Sequence, residues 1–360
     1  MSTFFKKFFL LRMIVILLIF SIVTISINAN TSDITSSHSG KIKVLSIDSG
    51  GINGVVSLKI LCELEKQLGK PISEVFDYFI GSSAGGIIVS LLNLKDENGI
   101  PIYTAKEVDK AYRKYMKIIF DRRWYSFGIF SPIYDREIMD KVFLEGFKDR
   151  TLTSTIKPIT LLSFSLNTGK PNIWSTYRAR KNDNLNYYLR DAVGATASAP
   201  IFFAPKATLK KDGTIMHDID GGIFDANPLM TGIAELIDIK PHLKKDDIFI
   251  VSVGPGRMDL DDSKKIKNML NYGFTGWVIS KPNIVDLIIH ADAISDAIQG
   301  QKLFPNYYRL DPLIPKNLSS VDDTSADTIN ELSVIASEYA NNNDDFKLVV
   351  KNLKKHLEAS

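Results

Sequence analysis

Residues 77–92 read DYFIGSSAGGIIVSLL, and this stretch decides the fold. A short aromatic and β-branched run at 77–80 meets Gly81-Ser82-Ser83-Ala84-Gly85-Gly86 and passes directly into apolar helix through Leu94. Strand, glycine-bounded turn and helix follow without a spacer, the grammar of a sharp strand-to-helix elbow. Upstream the same grammar occurs once more. Residues 41–47 alternate and then run apolar as a buried strand does, stopping at Asp48-Ser49-Gly50-Gly51. Val55, Leu58, Leu61, Leu64 and Leu68 then recur at helical spacing, with Gly69 as the stop. Two successive strand, glycine loop and helix units predict parallel strands covered by helices, with functional loops at the strands' carboxyl ends.

Working outward, Thr104 and Glu107 form a capping box for a helix to about Ile118, and 135–147 reads as another helix. Strands are expected at 159–166, 173–176, 214–219, 248–253 and 307–310. Helices are expected near 184–195, 229–238, 262–272, 283–300, 325–340 and 344–357. The aromatic, irregular stretch 122–133 reads as a loop packed on the core. The fold class is therefore α/β, a central mostly parallel sheet flanked by helices, with a helical C-terminal tail whose default is docking on the domain.

The chain has 360 residues, 45% hydrophobic and 24% charged, which excludes fibrous, collagen-like and wholly disordered classes. Its one cysteine, Cys62, forbids an intramolecular disulfide and a Cys-rich zinc site. The net charge of +3 rests on Lys6, Lys7 and Arg12; without them 41 basic residues face 41 acidic ones. A general electrostatic footprint for nucleic acid is thus missing. Those three cations precede an apolar run at 13–27 and the small-residue site Ile27-Asn28-Ala29, which is signal-peptide anatomy. The expected organisation is a signal peptide or signal anchor at 1–29, a polar linker at 30–40, an α/β domain at 41–312 and a helical extension at 313–360. The chain is expected to be exported (secreted, periplasmic or luminal), and membrane-anchored if the first segment stays uncleaved.

Gly81-x-Ser83-x-Gly85 is the nucleophile-elbow spacing: glycines two residues either side of the serine remove Cβ atoms that would collide in the turn. The hydroxyl then stands at a helix amino end, where negative charge is favoured. Gly50 and Gly51, ending the neighbouring strand, offer bare N–H groups as oxyanion donors. The same loop also reads as a dinucleotide fingerprint with Ser49 in place of its first glycine. That reading needs an acid about 20 residues on at a strand end, and Gln67-Leu68-Gly69 ends a helix instead. For a base, Asp220 closes an apolar run and precedes Gly221 and Gly222, with Asp218 and Asp225 as nearby alternatives. A poorly solvated carboxylate can take a serine proton directly. A Ser-His-Asp esterase would instead need one of His38, His217, His242, His290 or His356. A catalytically weak, secreted binding protein on the same fold is the alternative from another class.

In order and spacing these pieces resemble the patatin-like phospholipase family. Its Asp-Gly-Gly-Gly-x-Arg-Gly loop is matched by 48–54, its Gly-x-Ser-x-Gly by 81–85, and its Asp-Gly-Gly followed by Asn-Pro by 220–222 and Asn227-Pro228. Residues 195–203 and 251–256 also resemble the family, so the likeness spans about 41–310. The resemblance implies a lipid acyl hydrolase, of phospholipase A type, cleaving carboxylic esters of phospholipids or other lipid esters at a membrane surface through an acyl-enzyme, with no metal or other cofactor. It casts Ser83 as nucleophile, Asp220 as base and the Gly50 and Gly51 amides as oxyanion hole, with Asp48, Gly54, Gly81, Gly85, Gly221 and Gly222 as motif support. Two positions depart from the pattern: Ser49 replaces a loop glycine, and Asn53 replaces the arginine that would steady the loop or a phosphate-bearing substrate. Aromatic residues at 124–130 and Phe202-Phe203 are candidates for an apolar substrate groove.

Overall fold

A computed structural model describes residues 41–121, 130–258 and 284–358, with 269, 271–273 and 277. The leading segment 1–40 lies outside the described residues, as do most of the aromatic groove candidates at 124–130 and most of the helix expected at 262–272.

Strand β1 (Ile42–Ile47) occupies the middle of the sheet, and Val44, Leu45 and Ile47 are fully buried, as a central parallel strand covered on both faces requires. It pairs in parallel with β2 (Tyr78–Ser82) and β7 (Ile248–Val253). Strand β3 (Ile159–Ser165) extends the parallel set beyond β2, and β8 (Tyr307–Leu310) extends it beyond β7. Three antiparallel strands complete an eight-stranded sheet among the described residues: β4 (Lys170–Ser175), β5 (Lys206–Leu209) and β6 (Ile215–Asp220). Sequence periodicity misses β5, an edge strand with a single buried residue, Thr208.

The pairing around β3 builds the site. All of β3 from Thr160 to Ser165 carries β4, so its opposite edge must serve two partners. The first half of that edge pairs with β2 up to Leu162 and Ser82, and the second half with β6 from Ser163 and Asp220. The carboxyl ends of β2 and β6 are thereby brought tip to tip.

Alternating strand residues feed two cores. Leu45, Ile47 and Phe79 pack beneath α1 (Gly54–Leu68), α2 (Ala84–Leu92) and α3 (Ala105–Ile119). The same core takes in α4 (Arg136–Phe147) and α5 (Leu189–Thr196). Val44, Tyr78 and Ile80 face the other way, toward α6 (Leu229–Ile239) and Phe304, which directly follows α7 (Ile284–Leu303). The expected helix at 184–195 starts later, because Asn182 caps a short 3-10 turn at Asp183–Leu185 before α5 begins. The last two helices, α8 (Ala326–Asn342) and α9 (Asp344–Glu358), bury Leu332, Ala336, Phe346 and Leu353 in the larger core and pack on α1. No helix among the described residues is long and apolar enough to cross a membrane.

Candidate active site

Ser83 stands where β2 turns into α2, with φ 51° and ψ −120°, a region that a residue bearing a Cβ enters only when its surroundings compel it. The compulsion is steric. A Cβ on Gly85 would lie 2.0 Å from the Ile47 carbonyl oxygen, and one on Gly81 would lie 2.6 Å from that of Gly85. The first turn of α2 is therefore pressed against the end of β1, and the serine takes up the bend. Thr196 holds it there: its hydroxyl accepts the Ser83 N–H at 2.9 Å and donates to the Leu162 carbonyl at 2.5 Å.

Across the junction of β2 and β6, Ser83 Oγ donates to Asp220 Oδ2 at 2.6 Å. The other carboxylate oxygen accepts the Gly222 N–H at 2.7 Å, which fixes the plane of the group. Asp220 is 3% exposed. Burial pushes its pKa up to about 7, against the lowering effect of the bonds from Ser83 and Gly222. The neighbouring acids are elsewhere. Asp218 accepts from Ser163 Oγ and Asn172 Nδ2, and Asp225 folds back with its N–H on the Gly221 carbonyl.

No imidazole intervenes in the Ser83–Asp220 contact. His217 and His242 are exposed, and His356 lies edge-on to Phe249. His290, on α7, lines the wider cavity. His38 lies outside the described residues.

The loop after β1 lies beside the serine. Among the described residues, neither the Gly50 nor the Gly51 N–H donates to a protein acceptor, while the flanking amides of Ser49 and Ile52 donate to Ala226 and Val321 carbonyls. Gly51 has φ 53°, and a Cβ on it would sit 2.1 Å from the Val321 oxygen. Tyr112 donates to the Gly51 carbonyl at 2.5 Å. Both departures from the family pattern find room. The Ser49 side chain sits against Gly222, where a Cβ would come within 2.6 Å of Ser49 Oγ. Asn53 is buried and turns its Nδ2 to the Leu318 carbonyl at 3.3 Å. Gly54 opens α1, where a Cβ would strike the Tyr112 hydroxyl.

Sequence reasoning missed what anchors this loop. Asp48, 2% exposed, receives both terminal nitrogens of Arg309 on β8, at 2.9 and 2.5 Å. Arg309 also donates to Ser252 at 2.7 Å and to Asp311 at 2.9 Å. Two carboxylates around one guanidinium hold Arg309 well above its ordinary pKa, while burial drives Asp48 up to about 7. The available signal was one arginine inside the strand-like run Tyr307-Tyr308-Arg309-Leu310, where a buried charge demands a partner.

Around these groups lies a cavity of about 1390 Å³. Tyr112, Met116 and Phe120 line it on one side, Phe202 and Phe203 close by, and Ile288 and Ile294 of α7 on another. The cavity combines apolar walls with the Ser83–Asp220 pair and the loop bearing the Gly50 and Gly51 amides in its lining. No cluster of His, Cys, Asp or Glu suited to hold a metal occurs among the described residues.

A family model described as patatin-like phospholipase matches residues 45–233. Patatin-like protein 3 of Arabidopsis thaliana is 28% identical over 337 residues, covering 79% of this chain and 77% of that protein. Patatin-2-Kuras 2 of Solanum tuberosum is 25% identical, covering 85% of each. A protein described as probable inactive patatin-like protein 9, also from Arabidopsis thaliana, is 27% identical, covering 72% of this chain and 70% of its own length. Among solved structures, VipD from Legionella pneumophila matches at a TM-score of 0.41 and 12% identity, over 88% of this chain and 67% of that one.

Proposed function

Because the chain belongs to the patatin-like phospholipase family, we propose that it is a lipid acyl hydrolase that cleaves carboxylic esters through Ser83 and Asp220. The observation that carries this reading is the 2.6 Å hydrogen bond between the Ser83 hydroxyl and Asp220. Membership alone does not carry it, since one relative bears the description probable inactive.

In this reading Asp220 takes the proton as Ser83 Oγ attacks the ester carbonyl. The Gly50 and Gly51 N–H groups receive the oxyanion, each such donor being worth about 10²–10³ in rate. Asp220 returns the proton to the departing alcohol, leaving an acyl group on Ser83. Water, deprotonated by the same carboxylate, then releases the fatty acid and restores the serine. Apolar walls from α3 and Phe202-Phe203 take the acyl chain. Residues 41–312 supply the catalytic domain, 313–360 a helical extension that braces it, and 1–29 an export signal or anchor that delivers the enzyme to extracytoplasmic lipid.

A fluorophosphonate probe tests the reading. It is expected to label Ser83 in the folded chain and to leave Ser83→Ala unlabelled, with phospholipid ester hydrolysis lost in parallel. Absence of an adduct on folded wild-type protein overturns the proposal.

A further inference from the structure

We propose that Arg257 is the phosphate anchor of the substrate site, so that the preferred ester carries a phosphate headgroup; this rests on the hydrolase reading above. Strand β7 leaves the sheet at Val253 and turns through Gly254-Pro255-Gly256 into Arg257. That turn presses on the oxyanion loop: a Cβ on Gly50 would lie 2.5 Å from the Cβ of Pro255. Gly256 takes φ 99° against Ile314, and Arg257 N–H then donates to the Pro312 carbonyl at 2.8 Å. The backbone of Arg257 is thus fixed two residues from the wall of the oxyanion site.

Its side chain is only tethered. Nε donates to the Asp311 carbonyl at 3.4 Å and lies 3.7 Å from Asp311 Oδ2, and the side chain is 48% exposed. Among the described residues, its two terminal nitrogens donate to no protein acceptor. Arg257 lines the same cavity as Ser83.

Among the described residues of the lining, the other arginine is spent. Arg309, the second arginine of the lining, gives its terminal nitrogens to Asp48, Ser252 and Asp311. Position 53, where the family pattern has arginine, holds a neutral amide turned toward Leu318. A planar guanidinium tethered through Nε, on a half-exposed side chain in the cavity lining, suits bidentate capture of phosphate oxygens. In a glycerophospholipid the phosphate lies a few bonds from the scissile ester, which matches an arginine beside the oxyanion loop. Five aspartates (Asp48, Asp220, Asp311, Asp322 and Asp345) line the same cavity with Arg257 and Arg309, so an anion is held there by directed hydrogen bonds and not by a net positive field.

The test uses the full chain carrying Ser83→Ala, which binds without turnover, and the same chain with Arg257→Met. Micellar 1-oleoyl-lysophosphatidate and 1-oleoylglycerol differ only in the phosphate. Losing one charge-assisted bidentate contact is expected to weaken lysophosphatidate about tenfold more than oleoylglycerol. Arg257→Lys keeps the charge without the fork and is expected to fall between, which carries the test through if Arg257→Met folds poorly. Equal losses for the two lipids, or no binding of either by Ser83→Ala, overturn the proposal. Competition by millimolar inorganic phosphate through Arg257 is expected; inorganic phosphate that binds Ser83→Ala as tightly as lysophosphatidate does would assign the site to free phosphate and overturn the headgroup reading. A missing fluorophosphonate adduct on wild-type Ser83 overturns the hydrolase reading separately, since these binding arms do not depend on turnover.

Discussion

Val321 places its carbonyl oxygen 2.7 Å from the Ile52 nitrogen, in the space that any Cβ on Gly51 would need. A segment more than 260 residues downstream therefore seats the loop that carries the Gly50 and Gly51 amides, the proposed oxyanion donors. Gly51→Ala meets both a backbone oxygen and a left-handed φ, neither of which can yield cheaply. It is expected to cost about 1–3 kcal/mol in urea unfolding and at least tenfold in kcat. Unchanged kcat with intact stability would detach this loop from catalysis.

Asp220 presents a conflict between stability and chemistry. Its carboxylate is buried beside one hydroxyl and one amide, with no cation on it. Asp220→Asn keeps the shape and removes the charge. Hydrolysis is expected to fall by about 10³ or more, while unfolding at pH 8 becomes harder by about 1–3 kcal/mol. Retained hydrolysis in this variant would sink the dyad.

The pH dependence follows with opposite signs for rate and stability. On the proposed mechanism Asp220 must be ionised to accept the serine proton, and its pKa is raised to about 7. Ester hydrolysis is therefore expected to climb through pH 7 to a plateau above it. Between pH 4 and pH 7 the folded chain keeps a proton that an unfolded aspartate has already lost. Stability from this group is full below pH 4 and is lost as pH rises through 7. Asp48, raised to about 7, and Asp225, raised to about 8, act in the same direction. Calorimetry from pH 5 to 8 should show a falling melting temperature, less steep in Asp220→Asn.

Arg309 ties β8 to the start of the Gly50-Gly51 loop, and removing it strands Asp48 in the interior. Arg309→Met is expected to destabilise by about 3–5 kcal/mol at pH 8, and by less at pH 5, where Asp48 can take up a proton. Adding Asp48→Asn should recover part of the loss. A double-mutant cycle with no coupling would show that the pair does not hold the loop.

How much was legible depends on how local each signal was. The elbow around Ser83, the Gly50-Gly51 loop and the turn after Asp220 each announce themselves within a few residues, because steric crowding dictates glycine at fixed spacing. The parallel core strands were equally plain, being apolar on both faces. Strand β5 was not, since Lys206-Ala207-Thr208-Leu209 buries one side chain at the sheet edge and has no apolar alternation to read. The pairing of Arg309 with Asp48, 261 positions apart, and the seat provided by Val321 belong to tertiary packing, which leaves no periodicity behind. Thr196 lies within a stretch similar to the family, but that its hydroxyl spans Ser83 and Leu162 is a tertiary fact with no sequence signal.

The shared edge of β3 also has a temporal meaning. The alcohol arrives on β2, its carboxylate waits on β6, and the carbonyl that seats the Gly50-Gly51 loop comes later still, at Val321. A ribosome must release nearly the whole polypeptide before these three groups can meet. On the proposed mechanism, a nascent or broken chain that ends before Asp220 has a serine without its base, so the site exists only once the whole domain has been made and folded.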